Sequence, residues 1–392
     1  MKGLSLVSFF NDISSEMIYP LLPAFLLRSV GASATLLGAL DGAAQFTSAC
    51  LNWVSGRLSD RPGLRKPLIL IGYGTAVLVR PLIAIATAGW QVVGFRVLDR
   101  VGKGLRTAPR DAYIAESTPP EMLGRAFGFH RAADHLGAML GALIGGWALS
   151  RVVDVRRVIG WSAVPGVVAV VVLAIVLRGQ GEAVAGERKR DEKRENADLP
   201  TDGQRVLSSL ISRPQYIAIS LLALFALARL PELLLLNRLY ELGVPDAMLP
   251  ICWAGLHVVR SGASYPAGRL HDRIGPDLMI GAGAALFAFC LCLLGKPLPA
   301  LWAVAVFLLF GLFAALTEPA ERALVAKLSP KKLGKGFGMY HALTGLAALP
   351  AAIGFGMLYE HGGGSDAVWL SGAVVGVVGV VWMAVRRSAA AR

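Results

Sequence analysis

Twelve long apolar runs limit what this chain can become more than any other feature of its sequence. A window of about 19 residues places them near 4–27, 34–55, 67–88, 90–115, 123–149 and 157–177, then 215–239, 247–268, 278–296, 299–327, 335–358 and 367–385. At about 1.5 Å per residue, each is long enough as a helix to cross a hydrocarbon core of about 30 Å. The chain is 55% hydrophobic and only 17% charged, with a mean hydropathy of +0.58. A water-soluble domain cannot bury that much apolar surface, and a disordered chain does not carry it. The expected fold is therefore an all-α integral membrane protein of twelve transmembrane helices. The first run contains Asp12 and Glu16 and is followed by no small-residue cleavage site, so it is expected to be a helix of the protein and not a signal peptide.

The net charge of +13 describes topology. Its cations fall in short loops between apolar runs, whereas a nucleic-acid-binding domain would gather them on one soluble face; no nucleic-acid partner is expected. Arg57, Arg61, Arg65 and Lys66 follow the second run, Arg125 the fourth, Arg269 and Arg273 the eighth, and Lys331, Lys332 and Lys335 the tenth. The opposite loops are nearly bare, apart from one with Arg151, Arg156 and Arg157. Lysine and arginine collect on the cytoplasmic side, so both termini are expected there, Lys2 at one end and Arg386, Arg387 and Arg392 at the other. The expected location is the cytoplasmic (inner) membrane of a prokaryote, crossed many times.

One long polar stretch mixes eight cations with seven carboxylates between Arg178 and Arg213 and reads as a solvated linker. It divides the chain into an N-terminal six-helix bundle (1–177), a cytoplasmic linker (178–214) and a C-terminal six-helix bundle (215–392). The four cysteines, Cys50, Cys252, Cys290 and Cys292, lie inside apolar runs and read as reduced thiols, with no histidine spaced to complete a zinc site.

The halves repeat each other. Gly56-Arg-Leu-Ser-Asp60-Arg-Pro-Gly63 recurs 212 positions later as Gly268-Arg-Leu-His-Asp272-Arg273-Ile-Gly275. Thr107-Ala-Pro109-Arg110-Asp111 recurs 210 later as Thr317-Glu-Pro319-Ala-Glu321, and Gly124-Arg-Ala-Phe127-Gly128 at the same offset as Gly334-Lys-Gly-Phe337-Gly338. Two similar helical bundles about a central pseudo-axis are a common transporter plan, with the substrate site between them.

The loop Gly56-x-Leu-Ser-Asp60-Arg61-x-Gly63-x-Arg65-Lys66 and its shortened copy resemble the signature loop of the major facilitator superfamily, and the resemblance covers the whole chain. It implies that Asp60 helps latch the cytoplasmic ends of the bundles, its charge suiting a helix N-terminus across the interface; a plain tight turn is the other reading. Gly137-x3-Gly141-Ala142-x2-Gly145-Gly146 resembles in part the antiporter motif of the superfamily's proton-coupled exporters, with Ala142 where that motif has proline. Small residues every fourth position also make a close helix seam. The stretch Asn11 to Pro20 and the fourth-run cations look like a poorly characterised prokaryotic branch.

Charges inside the membrane are costly unless paired or wet, so they mark function. Asp12 and Glu16 stand one turn apart with Tyr19 on their face, and with Asp41 they are the expected proton-coupling carboxylates; a packing pair with a neighbouring cation is the alternative. In the fourth run Arg96, Asp99, Arg100, Lys103, Arg106 and Arg110 share an arc of about 120° at 100° per residue. Arg100 and Lys103 are expected to contact cargo, or else to form an ion-pair ladder with Asp12, Glu16 and Asp41. Arg106, Arg110, Asp111 and Asp134 are expected at the gate, with Glu321 and Arg322 opposite Asp111 and with the loop residues Gly56, Asp60, Arg61, Arg65, Gly268, Asp272 and Arg273. Arg229, Glu232 and His257 are second-half candidates for the cavity. His130 and Asp134 have metal-like spacing but no third ligand, and no metal is expected. Pro20, Pro23, Pro81, Pro231 and Pro350 offer kinks.

The function expected is secondary transport by alternating access, most simply proton-coupled export of a small organic solute, by a chain that works as a monomer in the lipid bilayer. No Gly-x4-Gly-Lys-Ser/Thr loop is present, so the energy source expected is a proton gradient, with no cofactor. A carrier of an anionic metabolite or metal chelate is the alternative. An enzyme is not expected, because His130-x3-Asp134 lacks an acyltransferase's spacing and nucleophile. A non-transporting sensor or scaffold would tolerate neutral residues in its cavity.

Overall fold

The computed structural model describes residues 2–19, 34–151, 154–178, 213–245 and 248–390, apart from the side chains of 34–43 and of a few helix-end positions. The first half contains α1 (Lys2–Glu16), α2 (Ala34–Ser59), α3 (Arg65–Val79), α4 (Gly89–Glu116), α5 (Leu123–Ser150), α6 (Val155–Trp161) and α7 (Ala163–Arg178). The second contains α8 (Arg213–Ala228), α9 (Glu232–Glu241), α10 (Leu249–Ile274), α11 (Pro276–Leu294), α12 (Ala300–Leu328), α13 (Leu333–Gly362) and α14 (Gly364–Ala390). The described part of each apolar run corresponds to one helix or one broken helix. Pro20, Pro23, the Asp41 side chain and positions 179–212 of the expected linker lie outside the described residues.

Six of the described helical segments are long and apolar enough by composition to cross a membrane. α4 is not among them, because it carries too many ionisable residues; of these Arg96, Asp99, Arg106, Arg110 and Asp111 are buried. A helix that cannot meet lipid is forced to the interior, where its neighbours are α2 and α3.

Among the described residues three spans are interrupted; α6 and α7 part only at Ser162, whose hydroxyl donates to the Ile159 carbonyl, and the other two breaks are repaired from elsewhere in the fold. The seventh run, expected as one helix, stops at Ala228 and restarts at Glu232 behind Pro231. The backbone groups this frees would go unsatisfied in lipid. Ser371 of α14, fully buried, donates its hydroxyl to the Ala228 carbonyl at 2.8 Å and accepts from the Leu230 N–H at 2.9 Å. Pro81 turns the end of α3 into a 3-10 segment, Arg80–Ile85, whose terminal carbonyls, Ala84 and Ala86, both accept from Arg156 at 2.7 Å. Arg156 belongs to the one loop that broke the charge pattern, and this bond gives it a structural reason to be there. Pro350, by contrast, sits inside an uninterrupted α13.

The glycine series of α5 is a packing seam. A Cβ at Gly137, Gly141 or Gly145 would meet the α1 backbone at Phe9, Ile13 and Met17 respectively. The start of α1 and the end of α14 lie on one side of the molecule, the side of the Gly56–Lys66 loop. Arg386 near the end of α14 pairs with Asp277 at 2.6 Å, next to the repeated loop, and Ser5 of α1 meets His130 early in α5. We call this the motif side.

Candidate functional site

The halves meet along two antiparallel helix pairs, α2 with α13 and α5 with α10, and glycine permits both contacts. A Cβ on Gly56 would lie 2.6 Å from the Gly338 Cα, and one on Gly128 would overlap the Ser264 carbonyl. At the motif-side end of each pair a carboxylate accepts from a helix N-terminus of the other half. Asp60 takes the backbone N–H groups of Gly334 and Lys335, both at 2.7 Å, in the first turn of α13. Asp272, its repeat, takes those of Gly124 and Arg125 at 2.8 and 3.1 Å, and the Arg125 guanidinium at 2.9 Å. Otherwise unpaired N–H groups and the helix dipole make each contact favourable for an anion. Arg65 braces Asp60 at 3.4 Å and reaches Glu116 at 2.5 Å, while Arg61 and Arg273 are exposed. Gly268 packs on the Gly124 backbone.

Further in, the halves are tied by ion pairs. Asp111, with no exposed surface, accepts from Arg110 at 2.9 Å, from His341 of α13 at 2.8 Å, and lies 3.4 Å from Arg322 of α12. Arg131 of α5 bridges Asp134 and Glu318, both at 3.0 Å. These ties are related by the repeat, since Arg131 and His341 differ by the same 210 positions as the duplicated blocks. Arg322, expected at the gate opposite Asp111, lies beside it. Glu321 instead stays within its half, bonded to Arg229 at 2.8 Å and to the Tyr340 hydroxyl at 2.6 Å.

The basic face of α4 is organised differently from expectation. Its ion-pair ladder does not run to Asp12 or Glu16. Asp99, almost fully buried, gathers Arg80 at 2.9 Å, Arg96 at 3.3 Å and Arg100 at 3.8 Å. Arg106 faces α3, donating to the Gly72 carbonyl at 2.9 Å with its guanidinium 4.5 Å above the Tyr73 ring. Arg110 also reaches Ser8 at 3.2 Å. Tyr19, past the end of α1, lies under Arg96 at 5.2 Å.

Lys103 lies midway along α4 and is exposed. A lysine at that depth does not face lipid, so water reaches the middle of the molecule. Asp12 and Glu16 are half-buried and within electrostatic reach of it. Asp12 accepts from the Asn11 amide at 2.9 Å. Among the described residues neither carboxylate makes an ion pair.

The second-half cavity candidates are engaged. Glu232 holds Arg260 at 2.5 and 3.1 Å, Arg229 holds Glu321, and His257 meets His135 across the halves at 3.3 Å. Arg80, Tyr340 and His341 were not singled out from the sequence. The repeat offset applied to His130-Arg131 would have found Tyr340-His341; Arg80, a cation inside the third apolar run (67–88), carried the same signal as the other intramembrane charges.

A family model described as the Major Facilitator Superfamily matches residues 4–263 and 258–392. The chain belongs to that superfamily. It is thus a multi-pass membrane transporter with twelve transmembrane helices, and not an enzyme. An uncharacterised MFS-type transporter of Methanocaldococcus jannaschii is 29% identical over 388 residues, covering 96% of this chain and 92% of the relative. A multidrug resistance protein, MdtH of Photorhabdus laumondii, is 26% identical over 373 residues, with 93% and 88% covered. Among solved structures, the human organic anion transporter MFSD10 (TETRAN) matches with a TM-score of 0.75 at 16% identity, covering 97% of this chain and 98% of that one. The proton:xylose symporter XylE, bound to 6-bromo-6-deoxy-D-glucose, matches with a TM-score of 0.74 at 18% identity, covering 96% and 92%. These two likenesses concern the fold.

Proposed function

We propose that this superfamily member is a proton-coupled exporter of a small organic solute, working by alternating access as a monomer in the inner membrane of a prokaryote. One observation carries the coupling. Asp99, Asp111, Asp134, Glu232, Glu318 and Glu321 all hold an arginine, whereas among the described residues Asp12 and Glu16 hold none. Carboxylates committed to ion pairs cannot exchange protons without breaking the fold's ties; the α1 pair can. In this reading the motif side is cytoplasmic, as its loop cations favour. The halves are closed there by Asp60 and Asp272, and water approaches Asp12, Glu16 and Lys103 from the outside. The MdtH relatives, named as multidrug resistance proteins, favour export.

The test is a solute panel on reconstituted protein with pH gradients of either sign. Antiport predicts accumulation in vesicles with an acidic lumen, since protons leaving drive solute in. Accumulation only when the exterior is acidic would replace export by symport, and none with either gradient would remove proton coupling. A second reading, an anion carrier, is favoured by the exposed Lys103 and by the organic anion transporter among the structural neighbours. Neutralising Arg100 and Lys103 together should then abolish affinity for anions, and a variant that still selects anions rejects that reading.

A further inference from the structure

The α5–α10 seam has a regular ladder. Gly124 packs on Gly268, Gly128 on Ser264, and Ser261 donates to the Ala132 carbonyl at 2.9 Å. The next rung inward is His135 against His257, with Nδ1 atoms 3.3 Å apart and rings tilted by 48°. Below this rung, small residues let the backbones touch; here two imidazoles fill the gap. Two neutral imidazoles at that distance can share one N–H···N hydrogen bond. The same distance also fits a second chemistry. Zinc–imidazole bonds are about 2.0–2.1 Å long, and two of them ending on atoms 3.3 Å apart enclose an angle of about 107°, close to tetrahedral.

The surroundings admit a cation. His135 and His257 are buried, with 9% and 8% of their surface exposed, and a bound ion would need water for its remaining positions. The nearby arginines are matched: Arg260 is held by Glu232, and Arg131 by Asp134 and Glu318. A divalent ion at the rung therefore meets no unpaired guanidinium. Trp253 stands edge-on to His257 at 5.2 Å and fixes its ring.

We propose that His135 and His257 form a divalent transition-metal site spanning the two halves, and that an ion held there clamps the α5–α10 seam shut. Two protein ligands completed by water make a reversible site, suited to inhibition and not to holding the fold together. Imidazole donors select transition metals over Mg²⁺ and Ca²⁺, which take oxygen ligands.

The test is calorimetric titration of the purified full-length protein with Zn²⁺, Cu²⁺, Co²⁺, Mg²⁺ and Ca²⁺. The expected result is one site per chain for the transition metals, tightest for Cu²⁺, and none for Mg²⁺ or Ca²⁺. Affinity should fall by at least about tenfold, or about 1.4 kcal/mol, in His135→Gln and in His257→Gln, and stay unchanged in His130→Gln. Absence of Zn²⁺ binding to the folded wild type overturns the site without reference to any variant, leaving a neutral N–H···N hydrogen bond only. Binding that survives both substitutions in folded protein overturns it too. For the clamp, spin labels at the exposed positions Glu121 and Arg273 should show Zn²⁺ narrowing the distance distribution to its short component in the wild type alone. Zinc binding without that narrowing overturns the clamp. Neither readout involves proton-coupled transport, so both stand or fall separately from that function.

Discussion

Removing one capping carboxylate should open both seams. In Asp60→Ala the N–H groups of Gly334 and Lys335 lose their acceptor, and α13 loses the anion at its N-terminus. Hydrogen bonds to a charged group contribute about 1.5–3 kcal/mol each. The carboxylate regains water when the halves separate, and the Asp60 side chain is already 18% exposed, so a net of about 2 kcal/mol per seam is appropriate. That is about a 30-fold shift toward the state open on the motif side. With Asp272→Ala added, the sum is about 4 kcal/mol, short of the roughly 5.5 kcal/mol that inverts a 99:1 equilibrium; the double variant should be a measurable mixture. Electron–electron resonance distances between labels at Arg61 and Lys332, and separately at Glu121 and Arg273, read the two seams. Because each half moves as a body in this account, Asp60→Ala alone should add a longer component to both distributions. A folded variant whose distributions superimpose on the wild type refutes the latch. A change confined to the Arg61–Lys332 pair refutes the rigid halves.

Other substitutions separate stability from conformation. Ser371→Ala leaves the Ala228 carbonyl and Leu230 N–H without their partner, and should cost about 1–3 kcal/mol, read as a lower melting temperature in detergent. Gly56→Ala places a methyl 2.6 Å from the Gly338 Cα across the halves, so it should shift the label distances as Asp60→Ala does while leaving the melting temperature unchanged. Gly141→Ala places its methyl 2.5 Å from the Ile13 carbonyl inside one half, and should instead lower the melting temperature by the equivalent of about 1–3 kcal/mol. Asp99→Asn leaves Arg80, Arg96 and Arg100 without their carboxylate and should cost about 3–5 kcal/mol. Lys103→Gln, on the same helix but exposed, should stay within about 0.5 kcal/mol of the wild type.

The fold was legible because lipid imposes a simple rule: a span must be continuously apolar or hidden, and the runs obeyed it. The repeat showed two similar bundles, and the blocks it picked out, around Asp60, Asp272, Gly124 and Gly334, are those that meet at the two seams, because contacts between similar bundles fall at equivalent positions in each. Breaks were harder to see. Pro231 marked one, but its repair by Ser371 involves a partner 141 residues away, and no local pattern announces that. Charge pairing was the least legible. The arc on α4 was visible in the spacing, yet the acid that pairs with its arginines, Asp99, lies within the arc itself and draws in Arg80 from the 3-10 segment after α3. His257, read as cavity-facing, meets His135 because α5 and α10 run antiparallel through that level; sequence spacing carries no information on which faces of two distant helices coincide.

The central claim is that Asp12 and Glu16, which make no ion pair among the described residues, carry the protons. It is tested most directly by recording solute flux and internal pH together in proteoliposomes containing wild type or Asp12→Asn/Glu16→Gln protein. The wild type should move protons in fixed proportion to solute. The variant should lose all gradient-driven accumulation and solute-dependent proton flux, yet still exchange labelled for unlabelled solute, since exchange needs only the rocking of the halves. Undiminished solute-dependent proton flux in the variant would contradict the account.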